Sequence, residues 1–320
     1  MTRRVPDRSR VMGRLERASA IDVARGAVAR VAWYAFDAPC AWSLRARDRP
    51  RVAWSGARDD AFIVDATARA TVDDAAEAIL LDALRDAGAG KTTHVRGTFE
   101  AHLREVRDWL RDALDAPAAC ATAGLGHSAY GSELFPARSA GFGRDRAFFA
   151  RACGETCERL MYLYGTVSQR RWYRMTLETT RGRDAGGFEA VNFYTGETIR
   201  LTPVEAGLLT LMHAADILSV LTPTRERAST ALGFAMYLVS SAADMLRAAT
   251  RSPSGDAFAW NEYADRLDAS ISDEIVRRMV VDAPVDARGF RDEVAARAAA
   301  RLRATRFDVV LVLRATGAFD

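Results

Sequence analysis

Histidine is scarce in this chain, and its placement is the first chemical signal. There are four in 320 residues, His94, His102, His127 and His213. His102 is followed at helical intervals by Val106, Trp109 and Ala113, so its ring belongs to an apolar, inward face. His213 has Leu209 and Ile217 one turn to either side and Asp216 three residues on. An imidazole and a carboxylate at that spacing suit metal ligation, or a hydrogen-bonded buried pair. The carboxylate is the harder of the two to explain as plain core, because an unpartnered buried Asp is strongly unfavourable. A cation held by His102, His127 and Asp216 would supply the missing charge. The expectation is that imidazoles from separate helical segments meet Asp216 at one interior point.

Two neighbouring strings imitate other chemistry and fail on spacing. "DAGAGKTTH", residues 86–94, resembles the end of a phosphate-binding loop, but Arg85 stands where the first glycine belongs. The segment before it reads as an amphipathic helix, whereas such a loop follows a strand. The stretch is expected to end one helix and deliver His94 to the mouth of the next. Lys91, the only lysine, is a candidate substrate anion contact, with a solvated loop lysine as the simpler alternative. In "GLGHSAYG", Ser128 lacks the glycine two places on that a nucleophile elbow requires, since Tyr130 stands there. Cys40, Cys120, Cys153 and Cys157 are too few for a disulfide framework in a chain this long. Cys153 and Cys157 are expected on one helical face as small buried hydrophobes.

The elements that must carry these residues are mainly helical. Residues 1–75 form an N-terminal α+β region with strand-like runs "VARVAWYAF", "RVAWSG" and "AFIVDATARATV". Residues 76–250 hold apolar residues at three-to-four spacing in "DDAAEAILLDALRDAG", "FEAHLREVRDWLRDAL", "RAFFARACGETCERLMYLYG", "TPVEAGLLTLMHAADILSVL" and "STALGFAMYLVSSAADMLRAA". Between the third and fourth of these, "FEAVNFYTGETIRLT" alternates on both sides of Thr195-Gly196-Glu197, the pattern of an inserted β-hairpin. Residues 251–320 are expected to add helices and a final strand, "FDVVLVLRATG". The N-terminal strands, the hairpin and the final strand are candidates for a lid or a homodimer contact.

Charge narrows the partners. The 45 basic and 42 acidic residues leave a net +3, too little field to argue for a nucleic-acid partner. No signal-like apolar segment opens the chain and no apolar run of membrane-spanning length is read in it. A cytoplasmic protein acting on a small-molecule substrate, with no membrane partner, is expected.

The order of "HLREVRDWL", then "AGLGHSAYGSE" at 123–133, then "LLTLMHAADIL" resembles the HD-domain superfamily of helical metal-dependent phosphohydrolases. It is most similar to a bacterial branch with His-Ser in place of the His-Asp doublet. His94, "GETCERLMYLYG" at 154–165 and "NFYTGETIRLT" at 192–202 add to that likeness, which is strongest over residues 90–220. It implies an HD-like helical bundle over residues 76–250 and makes His102 the first metal ligand, His127 the doublet histidine and Asp216 the late aspartate. Where the superfamily has its doublet aspartate, this chain has Ser128, a poor ligand. A single Fe, Mn or Zn ion, or none, then fits better than a dinuclear centre. Glu133 and Glu158 are candidate replacement carboxylates. His94, His213 and Glu133 are the catalytic candidates, and Lys91, Ser128 and Tyr130 the substrate-binding ones.

Three readings follow. The first is a metal-dependent hydrolase of a small phosphoester or related molecule. The second is an iron oxygenase of the same superfamily. The third is a degenerate, metal-free ligand-binding module.

Overall fold

The computed structural model describes residues 74–86, 88–94, 97–133, 146–178, 188–193, 196–221, 229–249, 257–269, 271–279 and 287–304. The strands expected within 1–73 and at 307–317 lie outside these residues. Within them the protein is mainly α-helical. Helix α1 (Asp74–Asp86) leads through a turn at Gly88, φ +94°, into a two-residue hairpin of β1 (Thr93–His94) and β2 (Gly97–Thr98). The chain then enters α2 (Phe99–Asp108), whose first turn is capped by the Thr98 hydroxyl accepting from the Ala101 amide. So "DAGAGKTTH" does end a helix and lead His94 to the next, with a small hairpin in between.

Helix α2 runs into a π-helical turn at Trp109–Ala113, and α3 (Ala118–Leu125) follows after Pro117. The glycines of "AGLG" let α3 lie close against its neighbours. A Cβ on Gly124 would stand 2.4 Å from Leu110 Cδ1, and one on Gly126 2.5 Å from Met161 Cε.

One expectation needs correction. The run "RAFFARACGETCERLMYLYG" is two helices, α4 (Arg146–Cys153) and α5 (Glu155–Thr166), because Gly154 adopts φ +86°, outside the helical range. Cys153 and Cys157 therefore lie on two helices rather than one, yet their thiols still meet in a side-chain hydrogen bond. Cys157 is buried beside the Met161 sulfur, while Cys153 is only partly buried and donates to the Phe149 carbonyl.

Helix α6 (Gln169–Glu178) precedes the inserted hairpin, where β3 (Phe188–Val191) pairs antiparallel with β4 (Thr198–Leu201) in the register Phe188 to Leu201 and Val191 to Thr198. Phe188 and Ala190 on β3 and Ile199 and Leu201 on β4 face the core, as the alternation predicts.

Helix α7 (Pro203–Val220) is the centre of the protein. It opens with a reciprocal cap between Thr202 and Glu205 and has Pro203 in its first turn. Apolar on nearly all sides, it passes the length and composition test for a membrane span, yet 94% of it is buried inside the protein. It packs on α8 (Ser229–Ala249), α2, α5 and α3. Helices α9 (Ala257–Ala269), α10 (Ile271–Met279) and α11 (Ala287–Ala304) pack beyond, with α9 and α11 laid on α8. Leu267, Ile275, Phe290 and Leu302 belong to the same core as α7, so the described C-terminal helices extend that core.

Candidate metal centre

Three elements converge on one buried point. Helix α2 brings His102, the turn after α3 brings His127, and the C-terminal part of α7 brings Asp216. His102 Nε2 lies 3.3 Å and His127 Nε2 4.0 Å from Asp216 Oδ1. All three donor atoms fall within 4.8 Å of one another, and among the described residues no other group of this kind is found. The imidazoles are 7% and 2% exposed and the Asp216 side chain 13%, so the group sits almost wholly out of solvent.

The hydrogen bonds decide which atoms face inward. His127 Nδ1 stands 2.7 Å from the Gly124 carbonyl. A carbonyl only accepts, so Nδ1 carries the proton and Nε2 presents its lone pair. His102 is set the same way through Ser219. The Ser219 hydroxyl donates to the Asp216 carbonyl at 2.7 Å, which leaves its oxygen to accept from His102 Nδ1 at 3.1 Å. The second carboxylate oxygen of Asp216 is taken by the Tyr164 hydroxyl at 2.5 Å, and Oδ1 alone faces the imidazoles.

Three electron-pair donors thus point at one volume. At 3.3 Å a bare Nε2 and a carboxylate oxygen repel unless positive charge lies between them, either a proton or a metal ion. Metal bonds of about 2.0–2.2 Å put neighbouring ligand atoms roughly 3–3.5 Å apart. The separations of 3.3 and 4.0 Å from Asp216 lie within about 0.5 Å of that range, and the widest pair, within 4.8 Å, needs to close by little more than an ångström. Both histidines have the second-atom hydrogen bond that fixes ring orientation in metal sites.

Burial sets the electrostatics. It pushes His127 down to about 4, against the pull of Asp216, and His213 down to about 3. His94 also falls to about 4, from burial and then from His102. Burial alone would raise the Asp216 carboxyl, but its neighbours His102, His127 and Tyr164 outweigh it and hold it well below the usual carboxylate range.

The remaining candidates are placed as follows. His94, half-buried on β1, stacks on His102 with ring centroids 4.2 Å apart. His213 is fully buried one turn before Asp216. It packs on Tyr164 at 4.6 Å, with Nδ1 3.3 Å from the Tyr173 hydroxyl, and is not among the three converging donors. Glu133 and Glu158 do not join the group either. Glu133 accepts from the Ser168 hydroxyl and the Arg170 amide at the start of α6. Glu158 receives two bonds of 2.6 Å from Arg146 and one of 2.7 Å from Tyr130, so Tyr130 gives its hydroxyl proton to that ion pair. Ser128 is buried beside His127, and Lys91 is exposed on the turn before β1.

Tyr164, Ser219 and the Gly124 carbonyl were not singled out as site residues from the sequence. A signal existed for one of them. His213, Asp216 and Ser219 recur every third residue on α7, a polar stripe on the C-terminal half of a largely apolar helix.

Two expected results arise here. Ser219→Ala leaves the His102 tautomer unset and should weaken binding of a divalent cation about 10–100-fold; Ser219→Thr should retain most of it. Competition with a fluorescent chelator measures both. The second concerns pH. In the metal-free protein His127 and His213 stay neutral well below their ordinary value of 6.5, whereas the unfolded chain takes up those protons. Stability is therefore complete above about pH 6.5 and falls as pH drops to about 4, each histidine contributing a slope of roughly 1.4 kcal/mol per pH unit. Asp216 adds loss in the same direction below its ordinary 3.8. Urea unfolding across pH 4–7 should show this slope, reduced in His213→Phe.

The class defined so far is a mainly helical protein with a buried two-histidine, one-aspartate constellation. Residues 83–169 match the family described as a domain of unknown function, DUF6817. That segment contains His94, His102 and His127 and ends before Asp216. No curated protein and no solved structure matches the chain.

Proposed function

We propose that this chain is a cytoplasmic, mononuclear metal-dependent hydrolase of the HD-domain type, acting on a small phosphoester or a related small molecule. The cation, Fe, Mn or Zn, is held by His102 Nε2, His127 Nε2 and Asp216 Oδ1. The single observation that carries the reading is the inward set of three lone pairs, each fixed by a partner on its far side.

When bound, the cation lowers the pKa of a water and polarises the oxygen of a bound ester. The chain's own residues do the rest. Ser219 and the Gly124 carbonyl hold the two imidazoles in the ligating tautomer. Tyr164 keeps one oxygen of Asp216 occupied, so the carboxylate binds through the other. His94 stacks on His102 at the partly exposed side. Burial and the neighbouring His102 keep its imidazole uncharged at neutral pH, the form that a proton-accepting group would need. Ser128, beside His127, brings no carboxylate for a second cation, which favours one metal over two.

A second reading has its own support. Two histidines and one carboxylate with open positions also characterise non-haem iron oxygenases. The experiment separates them. Full-length protein is analysed by elemental mass spectrometry and assayed on p-nitrophenyl phosphate and for oxygen uptake. About one equivalent of manganese or zinc, with ester hydrolysis lost to a chelator and restored by the metal, is the expected result. Bound iron with oxygen uptake favours the second reading. Protein that takes up no metal when supplied with each ion overturns both.

A further inference from the structure

Two buried polar atoms beside the metal centre have no hydrogen-bond partner. One is His213 Nε2, on a residue with no exposure, and the other is Gln169 Oε1, on a residue 1% exposed. Leaving such atoms unpaired costs about 1–3 kcal/mol each, so an occupant that satisfies them is favoured.

Tyr164 ties the two together. The Gln169 side chain hydrogen-bonds the Tyr164 hydroxyl, and since that hydroxyl gives its own proton to Asp216, it receives one from the Gln169 amide nitrogen. The Gln169 oxygen is therefore the free end, an acceptor. The His213 ring lies 4.6 Å from the Tyr164 ring. Tyr173, one turn after Gln169 on α6, meets His213 Nδ1 through its hydroxyl. Among the described residues that hydroxyl has no other acceptor, so it donates to Nδ1. The imidazole proton then sits on Nε2, which makes that atom a donor. A donor and an acceptor thus stand unpaired around the same tyrosine whose hydroxyl supports Asp216.

We propose that His213 Nε2 and Gln169 Oε1 form a recognition subsite for an uncharged group carrying both an acceptor and a donor, such as a primary amide or an alcohol. An anion would meet the Gln169 oxygen with like polarity, and a cation would meet the His213 N–H in the same way. The inference rests on the hydrolase reading only in making this group part of the molecule turned over at the cation; the subsite itself needs no metal.

Acetamide and acetate have nearly one shape and differ in charge and in the donor, which makes them the probes. Each is titrated into full-length protein labelled with ¹⁵N-histidine, with and without chelator, and the His213 Nε2–H signal is followed. Acetamide should shift that signal saturably, acetate about tenfold more weakly, and Gln169→Leu should remove the saturable response both with and without chelator. A non-saturating response, or equal responses to both probes, means that only water occupies these atoms and overturns the subsite. An acetamide response that survives Gln169→Leu does the same. A protein that binds acetamide as expected but takes up no metal keeps the subsite and removes the hydrolase reading.

Discussion

His127→Ala should purify without its cation. The wild-type protein is expected to hold about one equivalent of divalent metal, and the variant to fall to background, because a three-ligand site that loses one donor keeps too few bonds to compete with water. The loss should exceed the 10–100-fold that a supporting residue is worth. His127 is 2% exposed, so its truncation also opens a cavity and the variant is checked by circular dichroism. Asp216→Asn guards against misreading a fold defect. It preserves the shape and can still accept from Tyr164, yet it removes the charge that opposes the cation. It too should lose the metal. The readout does not require a substrate. Adding chelator to wild-type protein should lower its thermal midpoint, since a ligand at about a thousand times its dissociation constant adds roughly 4 kcal/mol; His127→Ala should not respond. A variant that keeps a full equivalent would show that the three side chains do not form the site.

Arg159→Ala should be the most destabilising single change away from the centre. Arg159 on α5 pairs with Glu205 in the first turn of α7, and both are buried, at 5% and 0% exposure. Glu205 also accepts from the Thr202 amide at 2.8 Å, while its own amide donates to the Thr202 hydroxyl at 3.2 Å. Removing the guanidinium strands a buried carboxylate, which costs about 3–5 kcal/mol, or roughly 10 °C in midpoint. Replacing both partners, Arg159→Met with Glu205→Gln, should recover much of this, because the penalty belongs to the unpaired charge. Calorimetry of the single and double variants tests it. A double variant no better than the single would show that the pair contributes through packing alone. The consequence reaches the site, since this ion pair anchors the helix that carries Asp216.

Much of the architecture is legible in the chain. Periodicity marks α1, α2, α7 and α8, and alternation marks the β3–β4 hairpin, because both follow from which side chains leave water. The break at Gly154 is not legible. Apolar spacing runs unbroken through it, and only the backbone angle of one glycine divides α4 from α5. At the site, the two histidines and Asp216 were readable as a set because a buried carboxylate demands a partner. Glu133 and Glu158 were equally eligible by residue type. Their carboxylates are occupied elsewhere, one at the start of α6 and one by Arg146, and such pairings between distant segments leave no trace in spacing.

By itself, then, the order of residues determined that helices dominate, that a hairpin interrupts them, and that His102 and Asp216 face inward. Only the tertiary structure decided which nitrogen of each imidazole carries its proton, which oxygen of Asp216 is free, and that His213 turns to Tyr173. The physical reason is that solvent exclusion acts residue by residue along the chain, whereas a tautomer or a lone pair is oriented by a single hydrogen bond. The partners in those bonds, the Gly124 carbonyl, Ser219 and Tyr164, act at full strength only once folding has brought α2, α3, α5 and α7 together.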